Sequence, residues 1–371
     1  MFMMWEKMKR GGMSVISHKY AKANNNYLPD YDNTKPNSYL MQLDCNNLYG
    51  WAMGEKLPTG KFKWVTIDEE VVKNYNMITN NKGYILEVDL DYSESIHDEH
   101  NDYPLAPEHL NINGHNKLAP NLNNKEKYVL HIANLQYYLS KGMILKQIHR
   151  VIQFEQSKWL GNYMDLNIKM RQKAKNDFEK DYCKLMNVAF YGKTMENVRD
   201  RVNVQFCMTK EKFIKHTSSP LFVDVNIIKE DGLALVKTHK KFVELNKPIY
   251  IGACVLDLSK LLMYKFHYET MKVAYPNCLM MKTDTDSLLY YIKTNDLYDE
   301  FKYNSVIQSQ LEFSNYPENH PLYNCDRKKI AGLFQDESVD GDMAIISEYV
   351  GLRAKSYCNQ LYMPNENKYN D

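Results

Sequence analysis

The sequence predicts an α+β chain in which strands and helices interleave without a regular βαβ repeat. Three observations carry this expectation. Residues 38–44 form a short apolar run that ends in Asp44. Two β-prone arms, Leu279-Met280-Met281 and Leu288-Leu289-Tyr290-Tyr291-Ile292, flank Asp284-Thr285-Asp286-Ser287. A long charged helical signal runs from about Lys158 to Met195. The 371 residues suffice for one large unit or two ordinary domains. With 44% apolar and 25% charged residues the composition is globular. A formal charge of +1 excludes a small polycation, although a large enzyme can keep its basic residues local. Seven scattered cysteines without a C-x-x-C pair argue against a disulfide framework and a zinc knuckle, and suggest a reducing compartment. No apolar run has the length of a membrane helix, and the charged opening is too short for a signal peptide. The expected location is therefore intracellular, with no membrane partner.

Taken in order, residues 20–37 are polar with two prolines and read as an irregular lead-in, before the 38–44 strand. Residues 93–124, with Pro104, Pro107 and Pro120, read as an extended connection. Helical spacing returns over 125–141 through Tyr128, Ile132, Leu135 and Leu139, followed by a strand over 144–154. The 158–195 helix is charged up to Asp181 and then turns apolar. Short strands are expected at 202–208 and 221–228, a helix over 254–273, and a hairpin over 279–292.

The chemistry concentrates in a few places. Strand alternation puts Asp284 and Asp286 on one face with Thr285 opposite, and two close carboxylates repel unless a cation joins them. A solvated turn is the competing reading, since Asp and Thr are good turn formers. Asp44 closes its strand, or alternatively caps the helix that follows. Three carboxylates on adjacent strands could hold two Mg²⁺ ions about 4 Å apart for phosphoryl transfer. Lys173, Lys180 and Lys184 are spaced for one helical face and could meet a triphosphate; for Lys173 and Lys180 a solvated face paired with Glu179 and Asp181 is an equal alternative. His97-Asp98-Glu99-His100 reads as a solvated loop, and His320 with Cys325 is equally unpersuasive as a metal site.

The order Asp44…Leu48-Tyr49, Lys184…Tyr191-Gly192, Asp284-Thr285-Asp286-Ser287 and Lys355-Ser356-Tyr357 resembles the motifs of family B DNA polymerases. It is most similar to the protein-primed branch of bacteriophages, adenoviruses, linear plasmids and self-synthesising transposons, over nearly the whole chain. The resemblance implies a polymerase palm with an antiparallel sheet and helices, helical fingers and two insertions, with exonuclease and thumb domains largely absent. It implies palm over 37–95 and 249–371, fingers over 156–200, insertions over 96–155 and 201–248, and a junction remnant over 1–36.

By the same resemblance, Asp44 and Asp286 would bridge two Mg²⁺ ions (Mn²⁺ able to substitute), with Asp284 in support and the carbonyl of Cys45 as a further ligand. Tyr49 would lie beneath the incoming sugar, Lys184 would hold the triphosphate with Lys173 nearby, and Tyr191 would pack under the nascent base pair. Gly192, Lys355, Tyr357 and the Gly11-Gly12 element would face DNA. The implied partners are primer-template DNA, dNTPs and a terminal priming protein. Lys9, Gly50, Val188 and Ala189 depart from the family pattern, which leaves polar help near the incoming sugar open. Two other readings stay available: a DNA-binding remnant without catalysis, and a two-metal nuclease.

Overall fold

The computed structural model describes residues 1–77, 79–229, 232–339 and 341–363. They form two compact units, Met1–Ala189 with Tyr250–Asp371, and Phe190–Ile249. In the first unit, strand Ser38–Cys45 lies near the middle of an eight-stranded antiparallel sheet. Strand Ser287–Lys293 pairs along its whole length, Ser287 opposite Asp44 and Lys293 opposite Ser38. Leu279–Asp284 and then Ser14–Ile16 continue the sheet on that side. On the other side lie Phe334–Asp336 and Ile345–Arg353, the latter also carrying Tyr20–Lys22 and Ser356–Tyr362. Leu40, Leu43, Leu288, Leu289 and Ile292 are at most 4% exposed. Each such side chain contributes about 1.5–3 kcal/mol of burial. Both faces of the central strand are covered, so its sequence reads as an apolar run and not as an alternation.

A second antiparallel sheet has the order Leu57–Val65, Ile144–Ser157, Lys82–Asp91, Lys125–His131. Two of its strands, Ile144–Ser157 and Lys125–His131, come largely from the region expected as an insertion, which lies within the first compact unit. Residues 125–131, expected to be helical, are a strand, because Tyr128, Val129 and Leu130 pair with Val88, Glu87 and Leu86. The helix begins only at Ile132, where the His131 side chain accepts from the Ala133 amide. Helix Ile249–Lys265 supplies Asp257, which accepts from the His131 amide at 2.9 Å.

The 158–195 helix is two helices, Gly161–Gln172 and Asp177–Thr194. Asn176 accepts from the Glu179 amide, and the Glu179 carboxylate accepts from the Lys175 amide, both at 2.9 Å. This reciprocal cap starts the second helix afresh. Lys173 therefore ends the first helix, and the stripe with Lys180 and Lys184 does not form.

The second unit holds the end of that helix and a three-stranded antiparallel sheet in the order Val202–Cys207, Leu233–His239, Phe222–Lys229, with helix Lys210–Thr217. Glu196 binds Lys193, Arg201 and Lys247 at 2.6–3.0 Å, and these cations hold its carboxyl down at about 2.

Candidate active site

Antiparallel pairing puts the acidic residues in register. Asp44 stands opposite Ser287 on one neighbour and opposite Gln335 on the other. The hairpin turn between Asp284 and Ser287 is only Thr285-Asp286, with Thr285 in the left-handed region at φ 63°. That conformation is costly for a β-branched residue and needs outside support. The support comes from the N-terminal segment: the Thr285 amide donates to the Met13 carbonyl at 2.8 Å, and Ser14 pairs with Asp284. Gly12 packs so closely that a Cβ there would lie 2.2 Å from Thr285 Oγ1. Gly12 thus serves the acidic turn directly, while Gly11 has open space around it. Arg10 anchors the segment, donating to Val129 O at 2.7 Å and stacking on Tyr128.

Asp44 and Asp286 line one cavity of about 260 Å³ together with Cys45, Asn46, Asn47, Leu48, Tyr49, Thr285 and Gln335. The Cys45 amide donates to the Asp286 carbonyl at 2.8 Å, which locks the two acidic elements together. Burial first, then the charges of Asp286 and Glu337, push the Asp44 carboxyl up to about 7. Asp286 is raised too, by burial first and then by Glu337 and Asp284. Two buried carboxyls raised in this way, Asp44 partly by the Asp286 charge, are an oxygen donor set short of positive charge, which suits a hard divalent cation.

Asp284 is placed differently. Both its oxygens accept from Lys355 Nζ, at 2.8 and 2.9 Å. Among the described residues no group of three His, Cys, Asp or Glu is arranged to hold a metal ion. The fit for Mg²⁺ therefore rests on Asp44 and Asp286, with Asp284 committed to a lysine. The Cys45 side chain is fully buried, and burial keeps its thiol well above the usual range, so only its backbone is suited to a hard cation.

Tyr49 is half-buried on helix Leu48–Gly54 beside the acids; burial and then the Asp286 charge raise its phenol. Gly50 packs under Asn47, whose amide nitrogen would lie 2.0 Å from a Cβ there. Lys184 and Val188 line the same cavity from helix Asp177–Thr194. So does Asn187, whose Oδ1 accepts from Asn167 at 2.9 Å. It stands one residue before Val188, where the sequence already displayed it. Lys180 bonds Asp177 at 2.9 Å, not the expected Glu179 or Asp181. Lys173 is exposed and lines no cavity described here. Tyr191 and Gly192 belong to the second unit, near the end of the helix.

Lys355 and Tyr357 do not share a strand face as expected. Lys355 sits in the tight turn Ala354-Lys355 at φ 63°, which lets it reach Asp284. Tyr357 lies under the buried Lys282 ammonium, 3.7 Å from the ring centroid. His97–His100 is a short helix and not a loop; His100 is fully buried, accepts or donates to Tyr92 Oη at 2.9 Å, and is pushed down to about 4 by burial. His320 is buried, with Nδ1 accepting from the Leu322 amide at 3.2 Å.

Residues 28–271, more than half of the chain, match the family model for DNA polymerase type B, organellar and viral. The chain belongs to this family. Its fold matches solved structures of Phi29 DNA polymerase. The orthorhombic crystal form gives a TM-score of 0.56 at 13% identity, covering 99% of this chain and 51% of that one. The ternary complex with primer-template DNA and incoming nucleotides gives 0.56 at 16%, covering 99% and 51%. The single-stranded DNA complex gives 0.54 at 15%, covering 97% and 50%. The chain thus spans about half the length of these polymerases, and at such identities the likeness is one of fold. No curated protein matches the sequence. Among the described residues no helix is long and apolar enough to cross a membrane.

Proposed function

We propose that this chain is the catalytic part of a template-directed DNA polymerase that transfers dNMP from dNTP to a primer 3′-hydroxyl. One observation carries the reading: Asp44, half-buried near its strand end, and Asp286, half-buried in the hairpin turn beside it, open into the same cavity as Lys184 and Tyr49. In the reaction the 3′-oxygen bonds to the α-phosphorus as the bond to the bridging oxygen breaks, and pyrophosphate leaves with the electron pair. Asp44 and Asp286 would hold the cations, with the Cys45 carbonyl as a further ligand. When bound, two Mg²⁺ ions, or Mn²⁺, would supply Lewis acidity to the 3′-oxygen and neutralise phosphate charge. Lys184 would bind the triphosphate, with Lys173 outside the cavity playing no direct part. Tyr49 would wall off the sugar and disfavour a 2′-hydroxyl.

Lys355 and Tyr357 would hold the primer end, and Tyr191 and Gly192 would meet the base pair and DNA. Lys355 would exchange Asp284 for a primer phosphate, releasing Asp284 to support the cations. Domain-level assignments follow as proposals: palm residues from 37–95 and 249–371, fingers over 156–200. Protein-primed replication of a viral or mobile element, with a terminal protein as partner and an intracellular setting, is the context the family membership favours. The pairing of Asp284 with Lys355 favours a second reading, a DNA-binding remnant without catalysis. Primer extension by the purified chain separates the two. Templated addition of dNTPs that needs Mg²⁺ supports the polymerase; DNA binding with no incorporation under any primer or metal condition supports the remnant.

A further inference from the structure

Beside the acidic cavity lies a larger one of about 490 Å³. Asn47, Arg171, Asn187 and Lys329 line both, so the two spaces adjoin. Their charge balance differs. The smaller sets Asp44 and Asp286 against Arg171, Lys184 and Lys329; the larger is lined by Arg171, Lys180, Lys328 and Lys329 and, among the described residues, by no carboxylate.

Its walls come from distant parts of the sequence. Arg171 and Lys180 ride on the two helices after residue 160, whereas Lys328 and Lys329 lie between the acidic hairpin and the Lys-x-Tyr turn. Gln172 Nε2 donates to the Lys328 carbonyl at 2.9 Å and joins the walls. Lys329 is held in the left-handed region at φ 55°, a costly conformation for lysine. Its ammonium binds Gln335 Oε1 and lies 3.8 Å from the buried Glu312, itself bonded to Asn46 at 3.1 Å and Ser314 at 2.7 Å. These contacts fix a cation on the border between the acidic and the basic space. Lys180 shares its charge with Asp177.

We propose that the basic chamber receives the pyrophosphate leaving group, with Lys329 at its entrance and Lys328 and Arg171 inside. The inference rests on the polymerase reading above. After the bridging bond breaks, pyrophosphate carries several negative charges. The adjoining chamber, whose lining cations are opposed by no lining carboxylate, offers it a more favourable field than the cavity that holds Asp44 and Asp286. The arrangement would draw the product away from the reacting atoms and make the reverse reaction depend on the same lysines.

The test is calorimetric titration of the chain with inorganic pyrophosphate in Mg²⁺ buffer, for the parent, Lys328→Ala/Lys329→Ala and Arg171→Gln. Thermal melts confirm that each variant is folded; Lys328→Gln/Lys329→Gln replaces the alanine pair if that pair is not, and Lys328→Arg/Lys329→Arg is the charge-keeping control. The proposal expects pyrophosphate affinity to fall about tenfold or more in both charge-removing variants, the loss of at least one charge-assisted contact. It expects the arginine pair to retain binding. Unchanged pyrophosphate affinity in folded variants of a chain that extends primers overturns the chamber and leaves the polymerase standing. Lysine-dependent pyrophosphate binding by a chain that extends nothing overturns the polymerase reading and the leaving-group role with it, leaving only an anion site at these lysines. Loss of primer-template affinity alone, with pyrophosphate binding intact, would assign the chamber to DNA phosphates and overturn the proposal.

Discussion

On the floor of the cavity Asp44 sits half-buried on a strand and Asp286 half-buried in the adjoining hairpin turn, whereas on its wall Lys184 stands exposed on a helix. The floor residues are fixed by strand register and by the Cys45–Asp286 backbone bond. The wall residue depends on where a helix begins, which the Asn176–Glu179 cap decides. Burial raises the floor carboxyls and so stores electrostatic tension that a cation would relieve. The wall lysine keeps its solvent and can swing toward a phosphate. In the proposed reading, chemistry falls to the rigid side and substrate capture to the adjustable side.

This division can be broken from either side. Asp44→Asn removes a floor charge with little change of shape, and should lower the single-turnover incorporation rate by about 10³-fold or more. Lys184→Ala acts on the wall, and should raise the apparent KM for dNTP by about 10–100-fold, with a smaller effect on kcat. Equal effects of the two substitutions on kcat and KM would erase the distinction. Tyr49→Val, between floor and wall, should lower discrimination against ribonucleotides by about tenfold or more in competition assays while leaving cation binding intact.

How far this could be read in advance follows from the same contrast. Asp44, Asp284 and Asp286 are visible because they lie at strand ends or in the tight turn between apolar runs, and the runs force the register that gathers them. Lys173 was misplaced because the Asn176-x-x-Glu179 cap within a charged stretch was passed over in favour of helical spacing. Glu337, Gln335 and Lys329 carried no signal at all. They lie in an aperiodic stretch and reach the site only because Phe334–Asp336 adds to the central strand. The Asp284–Lys355 pair was hidden for a similar reason, since a tight turn and not a strand presents Lys355. His100 looked solvated in a polar stretch, but packing against Tyr92 and Tyr268 buried it.

The smallest expected effect concerns stability. The Asp44 carboxyl is held at about 7 in the folded chain against an ordinary value of 3.8. Between those values the folded state keeps a proton that the unfolded state has lost, so this group's contribution to stability falls as pH rises from about 4 to 7. Without divalent metal, Asp44→Asn should therefore raise the Tm at neutral pH by roughly 2–4 °C, and the gain should vanish near pH 4. Melts in EDTA across this range check it; a gain that persists at pH 4 would assign the effect to packing.

The most direct measurement pairs incorporation with DNA binding in parent and Asp286→Asn chains, on the same primer-template and with Mg²⁺. The amide keeps the size and shape of the side chain and removes the charge on which the cavity floor depends. The account predicts an active parent, a variant slowed by about 10³-fold or more, and primer-template affinity unchanged or slightly stronger as one negative charge facing the phosphates is lost. A variant that incorporates at the parental rate would contradict it, and so would one whose incorporation falls only in step with lost DNA binding.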